Sequence, residues 1–462
     1  MTDSYDLIVI GSGQGGGPLA AAFAAAGRKA LLVEREHVGG TCINEGCTPT
    51  KTMIASGRVA YLARRGMDFG VRTGQVDVDM DKVRQRKRNI VDTFRDGSLH
   101  RIEDAGVDLV FGTATFVGPK QIRIALNDGG SREATAPIVV IDTGGRPRPL
   151  DLPGIETVQA LSSTTVMELG TVPEHLIVAG GGYIGLEFGQ LFRRLGSRVT
   201  VVQRGKQLLS REDADIAEEV RKILTDDGVE VLLETKLERV AGSGGAVDLT
   251  VSSGGGERTI HASHLLNAVG RTPNTDDLNL AAAGIRINEH GEVPVDERLE
   301  TNVPGVYALG DVKGGPAFTH ISYDDFRILR GNLLDGKQLT AKGRLMPYTV
   351  FIDPELGRVG LTEQQARLEG RNIRVASMPM SQVARALEMD ESRGLMKAVV
   401  DADSGQLLGC AILGLFGGEM MSLFEVAMMG KLPYTALENG IFAHPTLAEA
   451  FNNLFASLSP SP

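Results

Sequence analysis

A pair of cysteines is the most reactive feature of the chain. Four residues separate Cys42 from Cys47, and the third cysteine of the 462 residues is Cys410. Three cysteines in a chain of this length do not make the disulfide framework of a secreted protein. In a reducing cytosol a close pair is typical of catalytic, redox-sensing or metal-binding sites, and this spacing is not that of the usual zinc knuckle.

The residues around the pair predict how its thiols are held. Cys47 is followed by TPTK and then by a helical run through Val59 to Arg65. Proline suits the first turn of a helix, so Pro49 places Cys47 at a helix N-terminus, whose partial positive charge stabilises a thiolate. A disulfide requires Cα atoms within about 7 Å of each other. Gly46 permits the intervening segment to curl back and bring Cys42 that close.

A dinucleotide-binding unit precedes the cysteines. A strand, a glycine loop, an alanine-rich helix and a second strand follow one another, which is the context that the GxGxxG fingerprint requires. Glycines let the backbone approach a pyrophosphate at the helix N-terminus, and an acid about 20 residues further on accepts a ribose hydroxyl. The segments and residues are Leu7–Ile10, Gly11, Gly13, Gly16, Pro18–Ala26, Ala30–Val33 and the acid Glu34.

The same pattern is repeated about 170 residues later. A second strand, glycine loop, helix and strand predict a second dinucleotide site, which suggests a hydride relay between a flavin and a nicotinamide. The segments and residues are His175–Ala179, Gly180, Gly182, Gly185, Leu186–Leu195 and Arg198–Val202.

The second unit has no acid at the end of its last strand. Gln203 and Arg204 stand there, and Lys206 and Arg211 follow. An acid at this point favours NAD, whereas arginine suits the 2′-phosphate of NADP. The sequence therefore predicts NADPH as the coenzyme, with NADH as the alternative.

Further elements are predicted along the rest of the chain. A helix with one apolar face is expected over 213–227, a Gly/Ser-rich hairpin region over 242–256, and a strand ending in Gly-Asp within 302–311. From about residue 347 we expect another βαβ-type segment, which has no glycine-rich nucleotide loop and is therefore assigned to packing or dimerisation. Its methionines are expected to serve core or interface packing rather than metal binding.

Together these motifs resemble the pyridine nucleotide-disulfide oxidoreductases, the flavoproteins that include dihydrolipoamide dehydrogenase, glutathione reductase and mercuric reductase. The resemblance covers essentially all 462 residues and rests on CINEGCTPTK, GGGYIGLE, LNAVGRTPNT, YALGD and HPTLAE. Longer stretches such as FTHISYDDFRILRGNLL and FAHPTLAEAFNNLF are similar to the mercuric reductase-like and reactive-chlorine-resistance members.

The resemblance implies a redox disulfide between Cys42 and Cys47. NADPH would reduce bound FAD, Cys47 would face the flavin, and Cys42 would attack a small-molecule or protein disulfide. The protein would be an obligate homodimer, in which His444, oriented by Glu449, reaches the disulfide of the other subunit. An imidazole backed by a carboxylate is a tuned acid and base.

Other residues gain roles by the same resemblance. Tyr183 would cover the flavin face and move aside for the nicotinamide. Lys51 and Glu187 would form an ion pair beside the reactive flavin nitrogen, and Asp311 would hold the ribityl chain. The remaining expected cofactor contacts are Gly40, Thr41, Thr143, Gly144 and Gly270.

The implied fold is α/β, with two Rossmann-like dinucleotide-binding domains and a C-terminal α+β dimerisation domain. Residues 1–150 and 276–343 would form the FAD-binding domain, 151–275 the NAD(P)H-binding domain, and 344–462 the dimerisation domain.

Two departures from the family pattern leave the substrate open. The chain has no cysteine after Cys410, whereas mercuric reductases end in a vicinal cysteine pair, and Glu45 stands where an apolar residue is usual. An acid there disfavours a nearby thiolate or an anionic substrate. The alternatives to disulfide reduction are Hg(II)- or Cu(II)-type metal or oxidant-defence reduction, dihydrolipoamide dehydrogenation, and a flavin redox sensor. No metal ligand set is predicted.

Composition excludes several classes of protein. The formal charge is -10 and no basic block is present, which argues against nucleic-acid binding. The sequence contains no run of 18 apolar residues, so no membrane span is expected. No signal peptide is recognised before the first strand. We therefore expect a cytoplasmic protein.

Overall fold

A computed structural model describes residues 2–458. Its strands are β1 (Thr2–Ser4), β2 (Leu7–Ile10), β3 (Ala30–Glu34), β4 (Asp108–Gly118), β5 (Gln121–Leu126), β6 (Ser131–Thr135), β7 (Ile138–Ile141), β8 (Gly145–Pro147), β9 (His175–Ala179), β10 (Arg198–Val202), β11 (Val229–Leu232), β12 (Lys236–Ser243), β13 (Ala246–Ser253), β14 (Gly256–Ala262), β15 (His264–Asn267), β16 (Arg271–Pro273), β17 (Val306–Ala308), β18 (Tyr348–Val350), β19 (Glu355–Gly360), β20 (Ile373–Pro379), β21 (Leu395–Asp401) and β22 (Leu407–Gly414).

The α-helices of the same residues are α1 (Gly16–Ala25), α2 (Gly40–Asn44), α3 (Cys47–Arg64), α4 (Met80–Asp104), α5 (Tyr183–Leu195), α6 (Ala214–Asp226), α7 (Thr319–Leu333), α8 (Glu363–Leu368), α9 (Ala384–Glu388), α10 (Gly417–Met429), α11 (Tyr434–Glu438) and α12 (Ala450–Ala456). None of these helices is both long enough and apolar enough to cross a lipid bilayer.

The chain divides into two compact units, and each unit is built from three separate segments of the chain. The first unit holds residues 1–52, 82–148 and 270–344, and the second holds 53–81, 149–269 and 345–462. Helix α3 therefore begins in the first unit and continues into the second. The predicted fold class is confirmed as mixed α/β.

The first unit is built on an eight-stranded sheet in the order β1-β6-β5-β4-β3-β2-β7-β17. Strands β4, β3, β2, β7 and β17 are parallel neighbours. Strand β2 is buried along its whole length, as expected for a parallel strand covered on both faces. The carboxyl ends of β2, β7 and β17 meet at one edge, where ligands bind in open α/β sheets.

Within its described residues, the second unit contains three sheets. Strands β11-β10-β9-β15 form a parallel sheet, and β12-β13-β14 form an antiparallel sheet over the predicted Gly/Ser-rich hairpin region. The third sheet has the order β18-β19-β22-β21-β20 and is antiparallel throughout. The prediction of a βαβ-type segment from residue 347 is therefore wrong. An alternation of strands and helices along the sequence does not by itself determine whether the strands pair in parallel.

The methionines of α10 illustrate the core of this C-terminal region. Met420 and Met421 are buried in the apolar cluster beneath the antiparallel sheet, together with Phe424 and Phe451. Met429 is 69% exposed. The prediction that these methionines serve core packing is thus confirmed for the first two.

Candidate functional site

The two cysteines of the pair lie at the junction of two helices. Helix α3 begins at Cys47, as predicted from Pro49, and the short helix α2 carries Cys42. A Cβ on Gly46 would stand 2.8 Å from the Thr41 carbonyl oxygen, so only glycine allows the backbone to turn this tightly. The side chains of Cys42 and Cys47 contact each other.

The environment of Cys42 acts on the ionisation of its thiol. The neighbouring Cys47 raises the pKa of the Cys42 thiol, and burial raises it further, because two adjacent thiols cannot both ionise easily. The Thr319 hydroxyl acts in the opposite direction on the pKa of Cys42. The Cys47 Sγ lies 3.4 Å from the Thr319 Oγ1, at the first residue of α7. A dithiol in this arrangement can carry one thiolate at a time.

The first glycine loop joins β2 to α1. Gly11 has φ +100°, and a Cβ there would collide with the Asp142 carbonyl oxygen at 2.2 Å. A Cβ on Gly16 would meet the Gly11 carbonyl oxygen at 2.5 Å, and one on Gly40 would meet the Cα of Gly13 at 2.8 Å. These contacts leave bare backbone at the start of a ten-residue helix, which suits a pyrophosphate.

Acidic side chains hold this loop in place. The Glu34 carboxylate, at the end of β3, accepts hydrogen bonds from the Ser12 backbone N–H at 3.0 Å and from its hydroxyl at 2.6 Å. Asp142 was missed by the sequence reasoning. It directly follows β7, is buried, and accepts a 2.7 Å hydrogen bond from the Gly16 backbone N–H. A lone acid after the apolar run IVVI was the available signal.

Four more of the predicted cofactor contacts also fall in the first unit. The Thr143 hydroxyl donates to the Asn274 carbonyl oxygen at 2.7 Å, and Gly144 follows with φ +64°. Asp311 lies in a short 3-10 helix after β17, where burial raises the pKa of its carboxyl while Arg271 opposes the shift. Gly270 has φ +135°, a backbone conformation that residues other than glycine rarely adopt.

The first and third glycines of the second loop approach other backbone as closely as those of the first loop do. A Cβ on Gly180 would meet the Ala268 carbonyl oxygen at 2.5 Å, and one on Gly185 would meet the Gly180 carbonyl oxygen at 2.2 Å. A Cβ on Gly182 would meet nothing within 4 Å. Gly182 therefore leaves open space at the N-terminus of α5, where a second pyrophosphate fits.

The loop after β10 carries the predicted coenzyme-selecting residues. The Gln203 side chain makes hydrogen bonds to the backbone around it. Its Oε1 accepts from the Gly181 N–H at 3.1 Å, and its Nε2 donates to the Gln207 carbonyl oxygen at 3.2 Å. Arg204 and Lys206 are exposed. Lys206 and Gln207 line a cavity of about 390 Å³, which leaves room beside the loop for a polar group.

The residues predicted to gate the flavin and to form the ion pair beside it do not all belong to one unit. Tyr183 is the first residue of α5, and Glu187, one turn later, is buried and accepts from the Phe351 backbone N–H at 2.9 Å. Lys51 lies in the part of α3 that belongs to the first unit, whereas Glu187 belongs to the second. Their pairing stays a prediction.

The structure brings His444 and Glu449 together. The His444 Nδ1 lies 2.9 Å and 3.1 Å from the two Glu449 carboxylate oxygens, and the peptide bond from His444 to Pro445 is cis. The buried Phe451 and Phe455 anchor α12, which Glu449 precedes. The His444 side chain is 71% exposed. The packing of α12 therefore fixes the position of Glu449, and the His444 imidazole that contacts it is exposed.

Comparison with known proteins defines the class. The model of the pyridine nucleotide-disulphide oxidoreductases matches residues 5–325, and that of the family's dimerisation domain matches residues 346–455. The chain belongs to the pyridine nucleotide-disulphide oxidoreductase family. It is an oxidoreductase whose cofactors are FAD and NAD(P)H, and both glycine loops fit these dinucleotides.

Individual relatives match along almost their whole length. The probable pyridine nucleotide-disulfide oxidoreductase RclA of Escherichia coli is 37% identical over 459 residues, covering 98% of this chain and 99% of the relative. The mercuric reductase of Streptomyces lividans is 35% identical over 448 residues, covering 96% and 94%. The solved Cu(II) complex of the HOCl-induced flavoprotein disulfide reductase RclA from Escherichia coli is 36% identical, with a TM-score of 0.90, and the match covers 99% and 100%.

Proposed function

We propose that the protein carries two electrons from NADPH, through FAD, to the Cys42–Cys47 pair and on to a disulfide substrate. The observation that supports this most directly is the contact between the two thiols at the start of α3, in the same unit as the first glycine loop. Bound FAD supplies two-electron exchange between a nicotinamide and a thiol pair.

The chain's own residues can complete the thiol chemistry. His444 takes the proton of the Cys42 thiol, and the resulting thiolate attacks one sulfur of the substrate disulfide, forming a mixed disulfide; the first thiolate released takes that proton back from His444. The Cys47 thiol then gives its proton to His444 and attacks the Cys42 sulfur, forming the Cys42–Cys47 disulfide, and the second thiolate released takes this proton and leaves as a thiol. Because Nδ1 of His444 donates to Glu449, Nε2 is the nitrogen that exchanges the proton.

Several assignments belong to the same proposal. The protein acts as a cytoplasmic homodimer in which His444 of one subunit serves the cysteines of the other. The FAD-binding parts are 1–150 and 276–343, the NAD(P)H-binding part is 151–275, and the dimerisation part is 344–462. Tyr183 gates the flavin face, and Lys51 pairs with Glu187. The remaining contacts to the two dinucleotides are Gly11, Gly13, Gly16, Glu34, Gly40, Thr41, Thr143, Gly144, Gly270, Asp311, Gly180, Gly182, Gly185, Arg204 and Lys206.

An anaerobic thiol count tests the proposal. Reducing the holoenzyme with NADPH should expose two thiols that the oxidised enzyme does not show. The reduced enzyme is then offered lipoamide, glutathione disulfide, Cu(II), Hg(II) and quinones. Turnover with a disulfide supports the proposal. An unchanged thiol count, or turnover with quinones alone, would contradict it.

Metal reduction is the second candidate function. The Cu(II) complex of the related Escherichia coli flavoprotein favours it, since cysteine sulfur is a ligand for copper ions. Within residues 2–458 no group of three or more His, Cys, Asp or Glu side chains is arranged to hold a metal ion. Turnover with Cu(II) or Hg(II) but with no disulfide would favour this candidate, and absence of turnover with every acceptor would favour a flavin redox sensor.

Coenzyme choice is expected to depend on Arg204. Its replacement by alanine should raise the KM for NADPH about 10- to 100-fold, because a charged contact to the 2′-phosphate contributes about 1.5–3 kcal/mol. Steady-state kinetics with NADH should change little, since NADH has no 2′-phosphate. Arg258→Ala, which removes an exposed arginine from β14 of the same unit, is the matched control. Equal losses with both coenzymes would show that Arg204 has another role.

A further inference from the structure

We propose that Asp142 makes FAD retention depend on pH: FAD is held while the Asp142 carboxyl is neutral and is lost as this carboxyl ionises. Asp142 lies in the first unit, beneath the loop that fits the FAD pyrophosphate. It has no place in the thiol chemistry described above.

The carboxyl of Asp142 occupies the space that three glycines leave open. Its Oδ2 would stand 2.7 Å from a Cβ on either Gly13 or Gly16, and its Oδ1 would stand 3.1 Å from a Cβ on Gly310. Its own backbone N–H donates to the Ile10 carbonyl oxygen at 2.8 Å. The buried side chain therefore lies against the glycine loop and the turn after β17, and its hydrogen bond to the Gly16 N–H holds it there.

Three acidic groups raise the pKa of this carboxyl. They are Glu34 at the end of β3, Asp311 in the turn after β17, and Asp325 on α7. Asp325 is compensated by Arg344 at 2.7 Å and by Lys313 at 3.3 Å. Glu34 is held by Ser12, which is uncharged. The strongest charged influences on Asp142 are thus all negative.

Burial and these neighbours raise the pKa of Asp142 well above its ordinary value, and the hydrogen bond from Gly16 only partly opposes them. An acid whose pKa is raised in the native state binds more protons there than in the unfolded chain. Its contribution to stability is therefore favourable at low pH and is lost as pH rises towards the raised pKa.

Ionised Asp142 would compete with FAD for the same helix terminus. Asp142 accepts a hydrogen bond from the backbone N–H of Gly16, which is the first residue of α1. The N-terminus of a helix carries a partial positive charge, and this charge attracts a diphosphate. A carboxylate at that N–H places a negative charge at the helix terminus that would otherwise attract the diphosphate. A neutral carboxyl keeps the hydrogen bond through its carbonyl oxygen and adds no charge.

Flavin release from the holoenzyme tests the proposal. Holoenzyme is held at a series of values between about pH 6 and pH 9.5, and free FAD is measured by its fluorescence after filtration. If binding requires the neutral carboxyl, the dissociation constant should rise by up to about tenfold per pH unit above the pKa. Asp142→Asn, a neutral isostere, should retain FAD across the whole range.

Two further variants make the outcome decisive. Asp142→Ser is a second neutral replacement in case Asp142→Asn does not fold, and Asp128→Asn, at an exposed turn of the same unit, should keep the wild-type profile. A flat profile in a folded neutral variant supports the proposal. Alkaline release that persists in such a variant, or wild-type protein that retains FAD at every pH tested, would overturn it.

Discussion

Replacing Cys47 by serine is expected to lower disulfide reduction by about a thousandfold or more, because serine cannot close the disulfide that regenerates the oxidised pair. Binding of FAD and reduction by NADPH should persist, since neither needs the Cys47 sulfur. Stopped-flow measurement of flavin reduction, alongside steady-state turnover of the best disulfide, separates the two effects.

Cys410 supplies the matched control for this experiment. It is buried in β22, where burial raises the pKa of its thiol to about 12, so the thiol stays protonated. Its carbonyl oxygen accepts from the Arg358 guanidinium at 2.8 Å, a bond that the backbone keeps in Cys410→Ala. This variant should retain turnover. Full disulfide reduction by Cys47→Ser would refute the proposed thiol relay.

Replacing His444 by alanine is expected to lower disulfide turnover by about 100- to 10,000-fold, the range typical of a lost general acid or base. Reduction by NADPH should remain at the wild-type rate. Glu449→Gln should have a smaller effect in the same direction, because the amide can still contact Nδ1 but no longer stabilises the protonated ring. His290→Ala, which removes an exposed histidine, is the control.

Mixed dimers show whether His444 serves its own subunit or the other. Subunits carrying Cys42→Ser are mixed with subunits carrying His444→Ala, each of which alone should be inactive. If His444 acts across the dimer, each mixed dimer holds one complete site, and random exchange should restore about a quarter of wild-type turnover. If mixing restores no activity although exchange is complete, the intersubunit role is wrong.

Local sequence patterns determined the elements that carry the site. Strands β2, β9 and β10 have the predicted bounds, and α3 begins at Cys47 as Pro49 indicated. Helix α1 begins two residues before the predicted Pro18, within the glycine loop. These features depend on neighbours within a few residues, namely glycine spacing, apolar runs and helix-start signals, which a sequence displays directly.

The roles of the cysteine and histidine motifs came from family resemblance rather than from local pattern. A histidine five residues before a glutamate is common, and only the loop geometry brings the His444 ring within 2.9 Å of Glu449. The identity of the electron acceptor and the part played by Glu45 depend on substrate contacts, which neither a motif nor the fold of one chain specifies.

Tertiary structure alone decided which distant segments meet. Strand β17 joins the first sheet beside β7, although about 165 residues separate them, and Asp142 reaches Gly16 across 126 residues. The antiparallel pairing of β18 to β22 also departs from the sequence prediction. Such contacts are set by sheet order and register, whose energy is shared among many residues, so no short stretch of sequence records them.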